Sequence, residues 1–369
     1  MNWNQLYRTG IATLALALCV GAQAASNGVT ASISLESQHH ALGKTDAVVV
    51  DVTLTNTSAA PQYVLKWHTP FGGEIEESLF DVTRDGLKVP YLGAHYKRPA
   101  PTAADYYRLQ PGASFSARVD LSALYDMRVT GDYTIRYDTR SLSLFSAELS
   151  GQGRGAVPRE IGAIKSAPVT LWIDGSEPRG TVSRDAEPPQ TIDQMRAALA
   201  TGSLSFSKCT ASQQGTVTTA LGAGMSMVSN GDAYMAKGVI GARYNKWFGA
   251  TDAARVSSVK AHFVALKDAF ANKPITVDCG CRKTYYAYVY PTRPYVIYVC
   301  KAFWSAPMTG TDSKGGTLVH EMSHFNVVAG TDDWVYGQSG AASLAISDPA
   351  KAIDNADSHE YFGENTPAL

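Results

Sequence analysis

Two histidines four residues apart, with a glutamate beside the first, have the types and spacing that fit metal chemistry best in this sequence. They are His320, Glu321 and His324, in the segment HEMSH. Residues four apart share one face of a helix, so two imidazoles can hold one metal ion from a single turn. Glu321 would lie beside the ion, where a carboxylate can take a proton from water. The motif predicts a catalytic zinc site, although so short a motif also occurs by chance on surface helices.

The residues around the motif favour a buried metal site. Apolar segments, TLV and FNVV, flank it, and buried histidines and glutamates are costly without partners. A catalytic zinc needs a third protein ligand and an open position. The longer pattern with a third histidine is absent, because Val327 and Gly330 occupy its last two positions. The residues alone do not decide the third ligand. It could be Glu360 from a later helix, or Asp332 or Asp333 if Gly330 reverses the chain.

The segment that follows the motif carries a second fixed pattern. HEMSHF followed by GTDDWVYG resembles the aspzincin metallopeptidases, the family of deuterolysin and the peptidyl-lysine metalloendopeptidases, whose signature is H-E-x-x-H followed by G-T-x-D-x-x-Y-G. The matching positions are His320, Glu321, His324, Gly330, Thr331, Asp333, Tyr336 and Gly337. The resemblance implies one catalytic zinc ion held by His320, His324 and Asp333, with Glu321 as the general base. It also implies that Tyr336 donates a hydrogen bond to the developing oxyanion, although this ring could instead simply pack under the loop.

Two acidic residues near the C-terminus are candidates for substrate recognition. Asp357 and Glu360 lie three apart on a predicted final helix, so both can face the cleft. The resemblance implies a pocket in which such a pair binds lysine on the C-terminal side of the cut bond. Asp357 could instead orient a zinc-bound histidine. His262 and His359 each stand alone on their segments, and we expect both to be structural.

The first 24 residues have the pattern of a secretory signal peptide. Arg8 supplies the positive charge, residues 11–20 form a short apolar stretch, and AQA at 22–24 provides small residues at the cleavage site. An N-terminal membrane anchor is the alternative, but the apolar stretch is too short to span a bilayer. We therefore expect a secreted, extracellular protein.

The cysteines agree with an exported chain. Cys19 lies in the predicted signal, which leaves Cys209, Cys279, Cys281 and Cys300 for a disulfide framework. Cys279 and Cys281 flank a single glycine and bridge poorly with each other, so each should reach one of the other two. A structural zinc site is the alternative, but the two neighbouring cysteines lack the two-residue spacer that is usual in such sites. The resemblance implies the pairs Cys209–Cys279 and Cys281–Cys300.

The elements that must position these residues lie in the second half of the chain. With 369 residues, the chain exceeds a typical single domain. Residues 25–175 alternate apolar and polar side chains, which predicts an all-β, immunoglobulin-like sandwich. Residues 176–204 form a polar linker or processing region. Residues 205–369 show mainly helical periodicity with a small sheet, so the protein is predicted to be α+β overall. The resemblance implies that these residues form a zincin-like catalytic domain.

These features predict a zinc metalloendopeptidase that is secreted and made as a zymogen, with a preference for lysine after the cut bond. The resemblance implies that the sandwich is a propeptide, which would inhibit the enzyme or assist its folding. The formal net charge of -1 gives no surplus for binding nucleic acid or a membrane surface. We expect a monomer whose partners are protein or peptide substrates. The alternative is an exported binding or adhesion protein with a structural zinc site.

Overall fold

The structure, a computed structural model, describes residues 26–35, 41–151, 160–182, 203–238 and 240–369. The strands are β1 Val29–Leu35, β2 Ala41–Leu42, β3 Val49–Asn56, β4 Gln62–Leu65, β5 Phe80–Arg84, β6 Leu87–Lys88, β7 His95–Lys97, β8 Tyr106–Leu109, β9 Ser114–Asp120, β10 Gly131–Ser141, β11 Gly162–Lys165, β12 Val169–Ile173, β13 Leu204–Ser207, β14 Ile275–Asp278, β15 Ala287–Val289 and β16 Val296–Val299. The helices are α1 Ala211–Ala236, α2 Ala242–Phe248, α3 Ala253–Asn272, α4 Lys301–Ser305, α5 Lys314–His324, α6 Gln338–Ser347, α7 Pro349–Ala352 and α8 Ala356–Glu364. The predicted signal peptide lies outside the described residues, as do residues 191–201, whose periodicity predicts a helix.

The first half of the chain is rich in strands, as its alternating pattern predicts. One sheet has the order β1-β3-β9, a second has β2-β12-β10-β5-β6 with β11 on β10, and β4 pairs with β8. In β3, Val50, Val52 and Leu54 are fully buried while the residues between them are more exposed, which is the alternation of a strand with one face on a core. The assignment of this region to the immunoglobulin-like class stays a prediction.

The second half is mainly helical and carries a mixed sheet. β13, β14 and β16 run parallel. β15 pairs antiparallel with β16, a hairpin that the aromatic and β-branched residues of 284–304 predict. Asp252 caps α3 by accepting a hydrogen bond from the backbone N–H of Arg255. The periodicity of residues 233–249 predicts a single helix, and this prediction is wrong. Helix α1 ends at Ala236, and Gly238 takes a φ of +70° before α2 begins.

The sheet of the second half receives its last strand from the first half. Its order is β13-β14-β16-β15-β7, and β7 pairs antiparallel with β15 through Lys97 opposite Ala287 and Tyr96 opposite Tyr288. The backbone N–H of Tyr286 donates to the carbonyl of Lys97 at 3.0 Å. The first half of the chain therefore adds a strand to the edge of the sheet beside the predicted site.

Two disulfides brace this second half. Cys209 pairs with Cys279, which joins the segment before α1 to the end of β14, and Cys281 pairs with Cys300. In the described part of the chain, no helix combines the length and apolar character needed to cross a membrane.

Candidate metal centre and active site

The helix α5 places the histidine motif in the interior of the protein. Ser313 caps its N-terminus by accepting a hydrogen bond from the backbone N–H of Gly316 at 2.9 Å, and every residue of the helix is buried. Gly316 lets α5 approach α8 closely, because a Cβ at this position would overlap the carboxylate of Glu364. The close approach brings the acidic residues of α8 alongside the histidines.

Three side-chain donors, two from this helix and one from the loop after it, lie close together. His320 Nε2 and His324 Nε2 lie 3.1 Å apart. The carboxylate of Asp333 lies 3.3 Å from the first and 3.4 Å from the second. Both of its oxygens are buried without a hydrogen-bond donor. Donors about 2 Å from a tetrahedral zinc ion are separated from one another by roughly 3.3 Å, so the three side chains fit zinc.

The loop after α5 explains why Asp333, rather than its neighbour, reaches the histidines. Gly330 takes a φ of +60° and reverses the chain. The hydroxyl of Thr331 lies 2.6 Å from that of Ser323, which ties the loop back to the helix. The side chain of Asp332 is half exposed and points toward His95, not toward the donors.

Hydrogen bonds and ion pairs orient the two imidazoles. His324 Nδ1 donates to the carbonyl of Thr331 at 2.6 Å, which leaves Nε2 as the free donor for a metal. His320 Nδ1 lies 2.9 Å from Asp357 and 3.4 Å from Glu360. The ring is not aligned for a hydrogen bond, so these contacts are electrostatic. Glu360 therefore faces the far side of His320, away from the three donors.

Glu321 and Tyr336 contact opposite ends of one peptide bond. The hydroxyl of Tyr336 donates to the carbonyl oxygen of Tyr96 at 2.9 Å, and the backbone N–H of Lys97 donates to Glu321 Oε1 at 3.2 Å. Glu321 Oε2 is buried without a partner. Burial raises the pKa of Glu321 to about 7, despite the two nearby histidines, which lower it. The Tyr96–Lys97 bond thus lies between the residues predicted to be the general base and the oxyanion donor.

A buried acidic pocket holds the side chain of Lys97. Its ammonium lies 2.7 Å from Asp357 and 2.8 Å from Glu360, and all three side chains are fully buried. Asp312 lies 3.1 Å away and also accepts a hydrogen bond from Tyr361. Burial would lower the pKa of Lys97, but the carboxylates outweigh burial and hold it well above its usual value. Asp357 and Glu360 therefore face the same cation, as their spacing predicts.

Several residues of the site were not found from the sequence. Asp312 carries no motif, although it lies just before the cap of α5. His95 brings a ring nitrogen within 4.8 Å of ligand atoms of His324 and Asp333, and its strand gives no sign of a distant contact. The two histidines that we expected to be structural, His262 and His359, lie 3.0 Å apart, at a distance from the three donors that keeps them out of the cluster.

Comparisons with known proteins also indicate a metallopeptidase. The aspzincin family, described as lysine-specific metallo-endopeptidase, matches residues 233–364. An extracellular protease of Aeromonas hydrophila is 46% identical over 88% of this chain and 90% of its own. A peptidyl-Lys metalloendopeptidase of Grifola frondosa is 33% identical over 86% of this chain and 88% of its own.

One solved structure, a zinc peptidase from Grifola frondosa, shares 44% identity over 43% of this chain and 99% of that chain, with a TM-score of 0.42. The sequence similarity to the Aeromonas protease extends over nearly the whole chain. On this similarity and the family match, the chain belongs to the aspzincin metallopeptidases and is a zinc metalloendopeptidase.

Proposed function

We propose that this protein is a secreted endopeptidase, made as a zymogen, that cuts proteins before lysine residues. The observation that carries the proposal is the position of Lys97. Its ammonium lies among three carboxylates while its peptide bond lies between Tyr336 and Glu321. A substrate bound in the same way would present lysine on the C-terminal side of the cut bond.

The reaction proposed is hydrolysis of the peptide bond by water. His320, His324 and Asp333 would hold the zinc, which supplies Lewis acidity by acidifying water and polarising the carbonyl. Glu321 takes a proton from the attacking water and passes it to the leaving amine, which occupies the place of the Lys97 nitrogen. Tyr336 donates a hydrogen bond to the carbonyl oxygen as negative charge develops there.

The acidic pocket supports the preference for lysine on energetic grounds. Asp357 and Glu360 are fully buried, and a buried charge that loses its partner costs about 3–5 kcal/mol. Any residue without a cation would leave these carboxylates unpaired. Arginine is longer and planar, so it would not place a point charge at the position of the ammonium.

The strand that carries Lys97, β7, would also keep the zymogen inactive. While β7 occupies the edge of β15, a protein substrate cannot pair with that edge or enter the acidic pocket. Residues 25–175 would then act as a propeptide that inhibits the enzyme or assists its folding. Removal of the signal at 1–24 and cleavage within 176–204 would release a monomeric enzyme of residues 205–369.

To test the proposal, the full chain is expressed and the secreted protein is analysed in two ways. N-terminal sequencing should find a start within or near 176–204, and a mature protein that retains residues 25–175 would contradict the zymogen. Mass spectrometry of a casein digest should find lysine after nearly every cut. Asp357→Asn is the matched variant, since it removes one pocket charge at constant size and should relax the preference. A flat residue distribution from the unaltered enzyme would refute the lysine pocket.

A further inference from the structure

We infer that the cleft has a second specificity pocket, which takes an aromatic side chain on the N-terminal side of the cut bond. The inference rests on the proposed function, in which β7 marks the path of a bound substrate. Successive side chains of a strand point to opposite faces. Tyr96 therefore points away from the acidic pocket that holds Lys97, toward a different set of residues.

Two tyrosines of the second half pack against the Tyr96 ring, and the guanidinium of Arg98, from the first half, lies 4.9 Å from its centroid. The Tyr96 centroid lies 5.4 Å from that of Tyr285, in an edge-on arrangement, and 5.3 Å from that of Tyr288, at an interplanar angle of 37°. Both distances fall in the range at which aromatic rings attract one another. The side chain is only 6% exposed, so these rings and their neighbours remove it from water.

The aromatic wall, Tyr285 and Tyr288, belongs to the second half of the chain, and Tyr288 is held within that half. Tyr288 lies on β15 and stacks on Tyr298 of β16, with centroids 4.5 Å apart and an interplanar angle of 3°. The two tyrosines are opposite each other in the antiparallel pair, where cross-strand rings support one another. Loss of residues 25–175 would expose Tyr288 without removing its support, whereas Tyr285 would lose the hydrogen bond that its hydroxyl donates to Glu76.

A cation at the rim adds to the preference for an aromatic ring. Lys283 Nζ lies 5.3 Å from the centroid of Tyr96, within the range of a cation–π contact. The Lys283 ammonium forms ion pairs with Glu74 and Glu76, at 2.7 and 2.6 Å, and both glutamates belong to the first half. Once that half has left, the ammonium is free to face the ring of a substrate.

The test uses enzyme secreted by cells that express the full chain, with internally quenched peptides that differ only in the residue before one lysine. Two aromatic contacts predict that a peptide with Tyr-Lys is cut with a kcat/KM about tenfold higher than one with Ala-Lys. Leu-Lys should fall between them. Tyr288→Ala, which removes one of the two contacts, should reduce the ratio between Tyr-Lys and Ala-Lys to about threefold, whereas Tyr288→Phe, which keeps the ring, should preserve it.

The outcomes separate this inference from the proposed function. Equal rates for Tyr-Lys and Ala-Lys with the unaltered enzyme would overturn the aromatic pocket and leave the lysine preference intact. An unchanged ratio in Tyr288→Ala would overturn the assignment of the wall. A control peptide with Tyr-Ala tests the lysine pocket alone: cleavage as fast as that of Tyr-Lys would overturn the proposed function. Circular dichroism and zinc content identify a variant that has not folded, and Tyr285→Ala then provides the same test.

Discussion

Replacement of Lys97 by methionine should strongly weaken the contact between the two halves of the chain. Methionine has nearly the same length and shape but no charge, so the change isolates the ammonium. In the structure that ammonium lies 2.7 Å from Asp357, 2.8 Å from Glu360 and 3.1 Å from Asp312. The variant would leave these carboxylates without a cation in a site where the first two are fully buried.

The expected loss follows from burial. Removal of one partner of a buried ion pair costs about 3–5 kcal/mol, because the remaining charge stays in a medium of low dielectric constant. Glu360 can relieve part of this cost by binding a proton, since burial already raises its pKa. An exposed pair is worth about 0–1 kcal/mol. Lys165, which is 43% exposed and lies 3.0 Å from Asp138, is therefore a suitable control.

The assay measures urea unfolding of the full chain in a Glu321→Gln background, which prevents self-cleavage. Tryptophan fluorescence follows the transition, because Trp67 packs edge-on against Tyr336 at the contact between the halves. Lys97→Met should lower the free energy of the first unfolding step by about 3–5 kcal/mol, and Lys165→Met by less than about 1 kcal/mol. Equal midpoints for the two variants would refute the reasoning. Adding Glu360→Gln to Lys97→Met should recover part of the loss, because it removes one unpaired charge.

Three further predictions concern single residues. Glu321→Gln should retain zinc by metal analysis but lose activity on casein by about 10²–10⁴-fold, and full casein hydrolysis by the purified variant would contradict its assignment as the base. Asp333→Ala should lose the zinc itself, so undiminished zinc would point back to Glu360 as the third ligand. Gly316→Ala should destabilise the chain by about 1–3 kcal/mol, because its Cβ would overlap Glu364. The control is Gly215→Ala, in the exposed first turns of α1 with open space around it. It should be neutral or slightly stabilising when the thermal unfolding of both glycine variants is measured.

The local parts of the site could be predicted because their geometry is set by neighbours in sequence. The spacing of His320 and His324 places both on one face of any helix. The position of Gly330 predicts that the chain reverses soon after, although the residues alone could not choose between Asp332 and Asp333. That choice depends on how the returning loop is tied to α5 and α8, through Thr331 and Asn355.

The contact between the halves could not be predicted, since nothing local encodes it. Lys97 lies 224 residues before Glu321, on a strand of only three residues. Its charge is ordinary in sequence, and it becomes informative only when the fold surrounds it with carboxylates. Asp312 was missed for the same reason, because its neighbours in the pocket come from α8 and β7.

Asp357 connects the acidic pocket to the candidate metal centre and to the loop of the proposed oxyanion donor. Its Oδ1 lies 2.7 Å from the Lys97 ammonium and 2.9 Å from His320 Nδ1, and its Oδ2 accepts from the backbone N–H of Gly337 at 2.6 Å. Gly337 directly follows Tyr336. In the proposed function, a bound lysine would therefore neutralise the same carboxylate that contacts the predicted metal ligand His320 and anchors the loop of the predicted oxyanion donor Tyr336. A substrate without this cation leaves the carboxylate charged, buried and free to shift, so both groups would lose their alignment. Selectivity for lysine should then act on the rate of bond cleavage as well as on binding, because part of the binding energy of the cation is realised only when the catalytic groups are in place.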